Sequence, residues 1–565
     1  MPMYNYYKES PKYWKFLEFL MFPVAIAFVI FLIYKYLLQI SLPVFSQITQ
    51  ICLFYFAILN IVKIAFHKGN LDYIKKIIVD LTAVIVCFLL SEHPLIFQSY
   101  VILRQAVIFS DKLATSQPAV NIFSRFRNHP AKVILISFAF VILLGSTFLS
   151  LPIASSDGES IGLIDATFTA TSATCVTGLI VLNTGTAFSL FGKIIIFLLL
   201  QIGGLGIMTF STMLIMLLGR RLSLGPQSLM QGVLGEAGQL NMTKLIKAIL
   251  ITTFSFEIIG TALLFIKFHT VIPDIKTAVG YSIFHSVSAF CNAGFCLYSD
   301  SFTQFQNNLL MNIVMISLII CGGIGFGVLL DIKNNIFNRK QVRSFSLHSK
   351  IVISSTIFLI VVGAILIFLF EYKNQFQNLP LKNGLMASVF QSVTTRTAGF
   401  NTMSIGKIGY ATSLLMIVLM FIGASPGSTG GGIKTTSFAV LILSVWSIIK
   451  GREEVEVFNR TISPKVTKKV MSLVAIALTI LIVLILVLCL SEKSPFEKII
   501  FEAFSAFGTV GLSMGLTPNL TAIGRIAIIL LMYFGRVGPL TIAFALGEKK
   551  IKTYYHYPEE NIAIG

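Results

Sequence analysis

The groups in this chain best placed to do chemistry are backbone carbonyls, and they sit in a motif that occurs four times. Ser505-Ala506-Phe507-Gly508-Thr509-Val510-Gly511-Leu512 can be laid over Ser172-Ala173-Thr174-Cys175-Val176-Thr177-Gly178-Leu179, Ser288-Ala289-Phe290-Cys291-Asn292-Ala293-Gly294-Phe295 and Val393-Thr394-Thr395-Arg396-Thr397-Ala398-Gly399-Phe400. The anchoring glycines are 116, 105 and 112 residues apart, so the repeat is a whole structural unit, longer than solenoid periods. Glycine permits dihedrals that turn carbonyl oxygens out of a ladder, and four such loops facing one axis can replace the hydration shell of an ion. Chance recurrence of Ser/Thr-x-Gly among turns and helix contacts accounts for one copy. It does not account for four copies at near-equal spacing, each followed by a long apolar run.

The elements that must carry these loops are membrane helices. Of 565 residues, 55% are hydrophobic and only 12% charged, against about 25% charged in globular chains. That length holds about ten spans of roughly 20 residues with short loops. The net charge of +19 lies in lysines and arginines clustered between apolar runs, as the positive-inside rule expects. No basic face is interleaved with aromatics, which argues against nucleic acid as a partner. Cys52, Cys87, Cys175, Cys291, Cys296, Cys321 and Cys489 form no CxxC pair and read as small buried residues, without a disulfide framework or zinc site.

Residues 1–130 hold apolar runs near 16–38, 45–66, 77–91 and 94–109, the last carrying Arg104. The basic segments 67–76 and 111–132 predict four crossings, or two and a re-entrant pair, with a cytoplasmic N-terminus. The polar, tyrosine-rich start predicts no signal peptide. A lone arginine without a three-residue repeat reads as packing or snorkelling rather than voltage sensing.

From 131 the rhythm is apolar helix, short amphipathic segment, octet, apolar helix. We assign 131–235, 236–345, 346–460 and 461–550 to four repeats and 551–565 to a cytoplasmic tail. The predicted spans are 132–151 and 189–219, 246–268 and 309–330, 350–370 and 411–449, and 468–490 and 521–546. Segments 163–173, 279–290, 383–394 and 496–507 are too short to cross and fit pore helices, whose carboxyl ends favour a cation. Basic linkers between repeats, with Asp157, Glu159 and Asp165 on the octet side, put the octets at the outer face.

From about 125 to 550 the chain resembles the Trk/Ktr/HKT superfamily of cation transporters, most closely its bacterial Trk/Ktr membrane subunit. The motifs that carry the resemblance are Ala170 to Gly178, Cys291 to Phe295, Arg396 to Asn401 and Phe507 to Ser513. The fold it implies is an all-α polytopic membrane protein: four pseudo-repeated helix, pore-loop, helix units around one central pore, plus extra N-terminal helices. It also implies a homodimer in the plasma membrane, the inner membrane of a bacterium, and a cytosolic RCK-type nucleotide-binding regulatory ring. Nucleotide would act only through that ring, and no cofactor is expected on this chain. Serine at the first filter position goes with sodium in plant members, whereas four glycines go with potassium; Gly178, Gly294, Gly399 and Gly511 therefore point to K+, with Na+ permeation left open. The carbonyls carried over as ion ligands are those of Val176, Thr177, Asn292, Ala293, Thr397, Ala398, Thr509 and Val510. Arg396 is read as bracing the filter from behind. A minimal eight-span core has no need of residues 1–130.

A second small-residue cluster follows each octet: Gly203 to Gly206, Cys321 to Gly325, Gly423 to Lys434, and Gly535 to Gly538. The first two read as close helix packing. The third puts glycines and Pro426 inside an apolar run where a helix does not continue comfortably, glycine costing about 1 kcal/mol and proline about 3. Irregular backbone at membrane depth lines a cavity, so Gly427, Ser428, Thr429, Gly430, Gly431, Gly432 and Lys434 read as a loop across the pathway, matching the family's gate loop. The similarity to a phosphate-binding GxxxxGK[ST] is broken by Ile433 and by a membrane span in place of a strand. Arg536 lies mid-span and matches the family's gate arginine, expected to hold the loop closed; a salt bridge is the alternative, although few acids lie deep enough. The expected function is K+ uptake; the alternatives are a sodium-selective or sodium-coupled transporter and a membrane enzyme. An enzyme needs clustered His, Asp or Glu, which are sparse here, so no catalytic residue is assigned.

Overall fold

The computed structural model describes residues 130–206, 242–337, 345–539, 541 and 560. The predicted crossings of residues 1–130, Arg104 and nearly all of the 551–565 tail lie outside the described residues. Two compact units are distinguished, residues 1–128 with 151–161, and residues 129–150 with 162–565. Of the first, the described part is 151–161, which holds a single 3-10 turn at Pro152–Ala154.

The second unit is built from helices in a repeating order. The first repeat has α1 (Pro130–Leu149), α2 (Leu163–Thr174), a one-turn α3 (Thr184–Ala187) and α4 (Leu190–Leu205). The second has α5 (Met242–Val271), α6 (Ile275–Phe290), α7 (Leu309–Gly323) and α8 (Phe326–Phe337). The third has α9 (Leu347–Glu371), α10 (Leu381–Thr394), α11 (Tyr410–Phe421) and α12 (Thr435–Ile449). The fourth has α13 (Pro464–Ser491), α14 (Phe496–Gly508) and α15 (Ala522–Val537). One departure from an all-helical chain is the hairpin β1 (Val455–Val457) and β2 (Arg460–Ile462), antiparallel with Val455 opposite Ile462.

The outer helices are long because lipid supplies no hydrogen-bond partners, and an uninterrupted helix satisfies its own backbone. Lys132–Leu149, Ile246–Val271, Leu347–Glu371 and Pro464–Ser491 are each long and apolar enough to cross a membrane. They are apolar on both sides: α13 buries Val470, Ala477, Leu481 and Leu488 while Ile482, Val483, Leu486 and Leu490 stay exposed, the pattern of a helix with one protein face and one lipid face.

The inner helices are shorter, and several start at side-chain caps: Ser189 accepts from the Gly192 N–H, Asn308 from Met311 and Thr521 from Gly524. Helix α6 starts at exposed Asp274, and bonds from the Thr277 hydroxyl and N–H hold that carboxyl below its ordinary value. Each inner helix packs on the short helix before the octet of the next repeat: α4 on α6, α7 on α10 and α11 on α14. Helix α15 returns to α2 and closes the ring.

The segment predicted as a span near 309–330 is a bent helix pair. It breaks between α7 and α8 with a bend of 101°, because Gly325 turns left-handed at φ 97° and α7 cannot propagate through it. Close packing was half the account of the first two glycine clusters. Gly322 does sit against the Phe290 carbonyl and Gly204 against the Cys291 side chain. Gly206 and Gly325, at φ 79° and 97°, also end or break their helices, as Gly538 does at 90° in the fourth repeat.

Candidate functional site

Each of the short helices α2, α6, α10 and α14 delivers the chain into a turn of unusual hand. Val176, Asn292, Thr397 and Thr509 have φ of 57°, 57°, 77° and 50°, and Gly178, Gly294, Gly399 and Gly511, two residues on, have 90°, 69°, 79° and 92°. The residue between them is not left-handed. Successive carbonyls of a strand alternate in direction, whereas a backbone that changes hand at every residue turns them to one side. Three of the four leading positions are β-branched, for which a left-handed φ is an outlier, and such strain persists only where neighbours hold it.

Here the neighbours are those short helices themselves. In the first, second and fourth repeats the N–H groups after the helix reach back to its last turn: Val176 to the Ala173 carbonyl at 3.1 Å and Thr177 to Ser172 at 2.8 Å, Asn292 to Ala289 at 3.1 Å and Ala293 to Ser288 at 2.8 Å, Thr509 to Ala506 at 3.1 Å and Val510 to Ser505 at 2.8 Å. This is a Schellman closure, which satisfies helix-end carbonyls with a left-handed residue. A hydroxyl from the same turn then fixes the far limb. Ser172 accepts from the Gly178 N–H at 3.1 Å and Ser505 from Gly511 at 3.2 Å, while Ser288 donates to the Phe295 carbonyl at 2.8 Å and Thr394 to Phe400 at 2.6 Å. Sequence reasoning gave these four hydroxyls no function, although a Ser or Thr near the start of every octet was the signal.

The four loops meet. A Cβ added at Gly178 would lie 2.8 Å from the Gly294 Cα and 2.6 Å from the Ala293 carbonyl oxygen. One at Gly294 would lie 3.0 Å from both the Gly399 Cα and the Ala398 oxygen, and one at Gly399 would lie 3.3 Å from the Gly511 Cα and against the Val510 oxygen. At Gly511 it would lie 3.0 Å from the Gly178 Cα and against the Thr177 oxygen, which closes the circle. Glycine is required twice over, for its φ and because a neighbour's carbonyl occupies the side-chain space.

Beneath the ring runs residue stretch 422–434. It is sewn to the second and fourth repeats by backbone bonds: Ser425 N–H to Gly323 at 3.0 Å, Thr429 N–H to Gly322 at 3.2 Å, Phe326 N–H to Gly427 at 2.9 Å and Gly432 N–H to Gly535 at 3.2 Å, with Gly423 N–H to Ile433 at 2.8 Å closing its neck. Side chains add to this. The Thr429 hydroxyl donates to the Phe290 carbonyl at 3.3 Å, Ser428 to Ser425 at 2.6 Å, and the Lys434 ammonium to Gly430 at 2.7 Å. The Gly431 N–H donates to the Thr509 hydroxyl at 3.0 Å. Arg536 ties the loop to the first repeat, donating to the Thr429 carbonyl and to the Gly203 carbonyl of α4. Both partners are backbone carbonyls, and neither is an acid.

One acid does lie at that depth, and sequence reasoning passed over it. Glu257, in mid α5 and 5% exposed, accepts from the Gln201 amide at 3.0 and 3.3 Å. The oxygen of Gln201 in turn accepts from the Cys291 thiol at 3.8 Å. Arg396 is buried and donates to the Thr356 hydroxyl of α9 at 3.4 Å, directed away from the ring toward the outer helix. Among the described residues no cluster of His, Cys, Asp or Glu is arranged to hold a metal ion.

The sequence pattern of the family TrkH, described as cation transport protein, matches residues 96–551. The chain belongs to the TrkH family. It is 39% identical over 440 residues to the Ktr system potassium uptake protein B of Bacillus subtilis, covering 77% of this chain and 97% of that one. It is 40% identical over 438 residues to the Vibrio alginolyticus protein of the same name, covering 77% and 94%. It is 39% identical over 454 residues to the potassium/sodium uptake protein NtpJ of Enterococcus hirae, covering 78% and 98%. Among solved structures, the potassium transporter TrkH from Vibrio parahaemolyticus shares the fold, with a TM-score of 0.60, 18% identity, and coverage of 89% of this chain and 98% of that one. TrkH family members are multi-pass membrane transporters rather than enzymes, and the polytopic helical architecture here accords with that. Nearly the whole of each relative is matched, while over a fifth of this chain lies outside the match.

Proposed function

We propose that this chain is the pore subunit of a potassium-uptake system in the plasma membrane. The carbonyls of Val176, Thr177, Asn292, Ala293, Thr397, Ala398, Thr509 and Val510 act as the selectivity filter. The observation that carries this reading is the closed circle of Gly178, Gly294, Gly399 and Gly511, each against the carbonyl of a neighbouring loop. Four preorganised rows of oxygens replace the water of one monovalent cation, and the rigidity imposed by the Schellman closures and hydroxyl braces keeps them in place. The inside-negative potential contributes about 2.3 kcal/mol per charge per 100 mV, so inward movement needs no nucleotide chemistry on this chain.

The loop containing Gly427 to Gly432 and Lys434 acts as the gate, and Arg536 holds it shut while repelling cations from the blocked passage. The names of the Bacillus and Vibrio relatives, proteins of a "Ktr system", support a separate regulatory component. We assign it to a cytosolic RCK-type nucleotide-binding ring acting on a homodimer of this chain. The name of the Enterococcus relative, potassium/sodium, keeps a sodium-selective or sodium-coupled transporter as the second reading. Ion flux into proteoliposomes decides between them: K+ uptake exceeding Na+ uptake is the expected result. Na+ uptake with K+ excluded would replace the first reading with the second, and a protein that passes neither ion would end both.

A further inference from the structure

The four left-handed residues of the ring have side chains as well as carbonyls, and each side chain meets one part of the lower constriction. Val176 Cγ2 is 2.8 Å from where a Cβ on Gly203 would lie, and the Gly203 carbonyl receives Arg536. The Asn292 amide lies against Gly322 and Gly323 at the break between α7 and α8, and within 3.3 Å of the Thr397 hydroxyl. That Thr397 hydroxyl sits against Gly430 of the loop. Thr509 makes the most direct contact, accepting the Gly431 N–H at 3.0 Å, while the next N–H, of Gly432, is bonded to Gly535. The loop therefore does not lie at a distance below the ring. The Gly431 amide cannot leave without releasing the side chain that stands on the strained turn at Thr509, φ 50°.

We propose that Thr509 is a positioning residue shared by the two constrictions, so that the state of the loop sets the ion preference of the ring and the ion in the ring biases the loop. This rests on the reading of the ring as an ion filter and of the loop as its gate. With the loop seated, the hydroxyl is held and the Thr509 carbonyl faces a fixed direction. With the loop withdrawn, a left-handed β-branched residue loses a neighbour that held it, and the oxygen row it belongs to relaxes. Coupling of this kind is reciprocal, since whatever the loop does to ion affinity the ion must do to loop closure by the same factor.

Thr509→Val removes the acceptor and keeps the β-branch. The backbone tolerates valine in this conformation, because Val176 adopts φ 57° at the equivalent place in the first repeat. Thr509→Ser keeps the acceptor. In proteoliposomes lacking any regulatory protein, T509V is expected to raise resting K+ flux and to lower the K+ over Na+ preference together, each by about 5-fold or more. T509S, which restores the acceptor, should recover at least half of the T509V change on both readouts, on a logarithmic scale, and failure to recover either overturns the role of the hydroxyl. A change in resting flux alone makes Thr509 a latch, a change in preference alone makes it a strut, and either result, or neither changing, overturns the coupling. A second measurement needs no folded variant. Hydrogen exchange of the amides in residues 427–432 of the unaltered protein should differ between K+ and Na+ buffers, and equal exchange overturns the proposal. Unaltered protein that conducts neither ion would sink the proposed function itself; protein that conducts K+ while T509V matches it sinks only the coupling.

Discussion

Asp165 and Arg525, 360 positions apart, form an ion pair that joins the first turn of α2 to the first turn of α15. Helices α2 and α15 belong to the first and last repeats, so this contact fastens the seam at which the ring of repeats closes. Both side chains are about four-fifths buried, with 23% and 19% exposure. The carboxylate also stands where the amino end of a helix favours negative charge. Asp165→Asn and Arg525→Gln are each expected to destabilise by about 1–3 kcal/mol, more than an exposed pair contributes because a partner is left in a partly dry site. Thermal unfolding in detergent checks this, and a double variant as stable as either single one is the expected sign that the loss belongs to the pair.

Arg536 reaches Thr429 in the loop and Gly203 in α4 with separate nitrogens of one guanidinium. A rigid fork can serve two carbonyls at once, which a lysine ammonium on its flexible stem does less well. Arg536→Ala is therefore expected to leave the loop without its tie to the first repeat and to raise resting cation flux in proteoliposomes, by about tenfold if the tie contributes about 1.4 kcal/mol. Arg536→Lys should fall between. Flux through R536A equal to that of the unaltered protein, with thermal stability retained, would remove Arg536 from the gate.

Much of this was legible in the sequence because the pattern is repeated and the backbone is unusual. Glycine at 178, 294, 399 and 511 has few other physical reasons to recur on so regular a spacing. A run such as Gly423 to Lys434 cannot be an uninterrupted helix. What could not be read were relations that depend on three-dimensional proximity. Nothing in the order of residues pairs Asp165 with Arg525 or Glu257 with Gln201, since each pair bridges two repeats. The bend at Gly325 was hidden for another reason: in a membrane a glycine-rich stretch serves close packing and helix breaking equally well, and composition cannot tell them apart. The left-handed turns at Val176 and Thr509 run against local preference, as strained functional positions do.

The packing around the ring predicts what a side chain there would do. At Gly178 a Cβ would meet the Ala293 oxygen at 2.6 Å and the Gly294 Cα at 2.8 Å, both backbone and neither able to swing aside. Gly178→Ser and Gly511→Ser must therefore displace a neighbouring loop as well as bear the left-handed penalty of about 1–2 kcal/mol. The expected outcome is K+ flux reduced by about tenfold or more, together with a weakened preference for K+ over Na+, a loss of at least about 1.4 kcal/mol. Ser substitution at Gly158, where nothing lies within 4 Å, provides a control with the same φ demand and no neighbour to displace.

Glu257 supplies the last prediction, because its charge and its hydrogen bond can be separated. The carboxylate is held by the Gln201 amide, whose oxygen is turned toward Cys291, the residue before the strained turn at Asn292. If the site requires an acceptor at this place rather than a charge, Glu257→Gln should retain stability and flux, since its carbonyl oxygen can take the same N–H. Glu257→Ala removes the acceptor and leaves the half-buried Gln201 amide without it, at a cost of about 1 kcal/mol. Gln201→Leu is the harsher change, because it strands a carboxylate at membrane depth. The expected order of thermal stability is the unaltered protein and E257Q together, then E257A, then Q201L, with E257Q and Q201L combined recovering part of the loss. Should E257Q instead abolish K+ flux while unfolding at the unaltered temperature, the charge itself would be what the proposed pore requires, and the carboxylate would join Arg536 among the groups proposed to act on the passing ion.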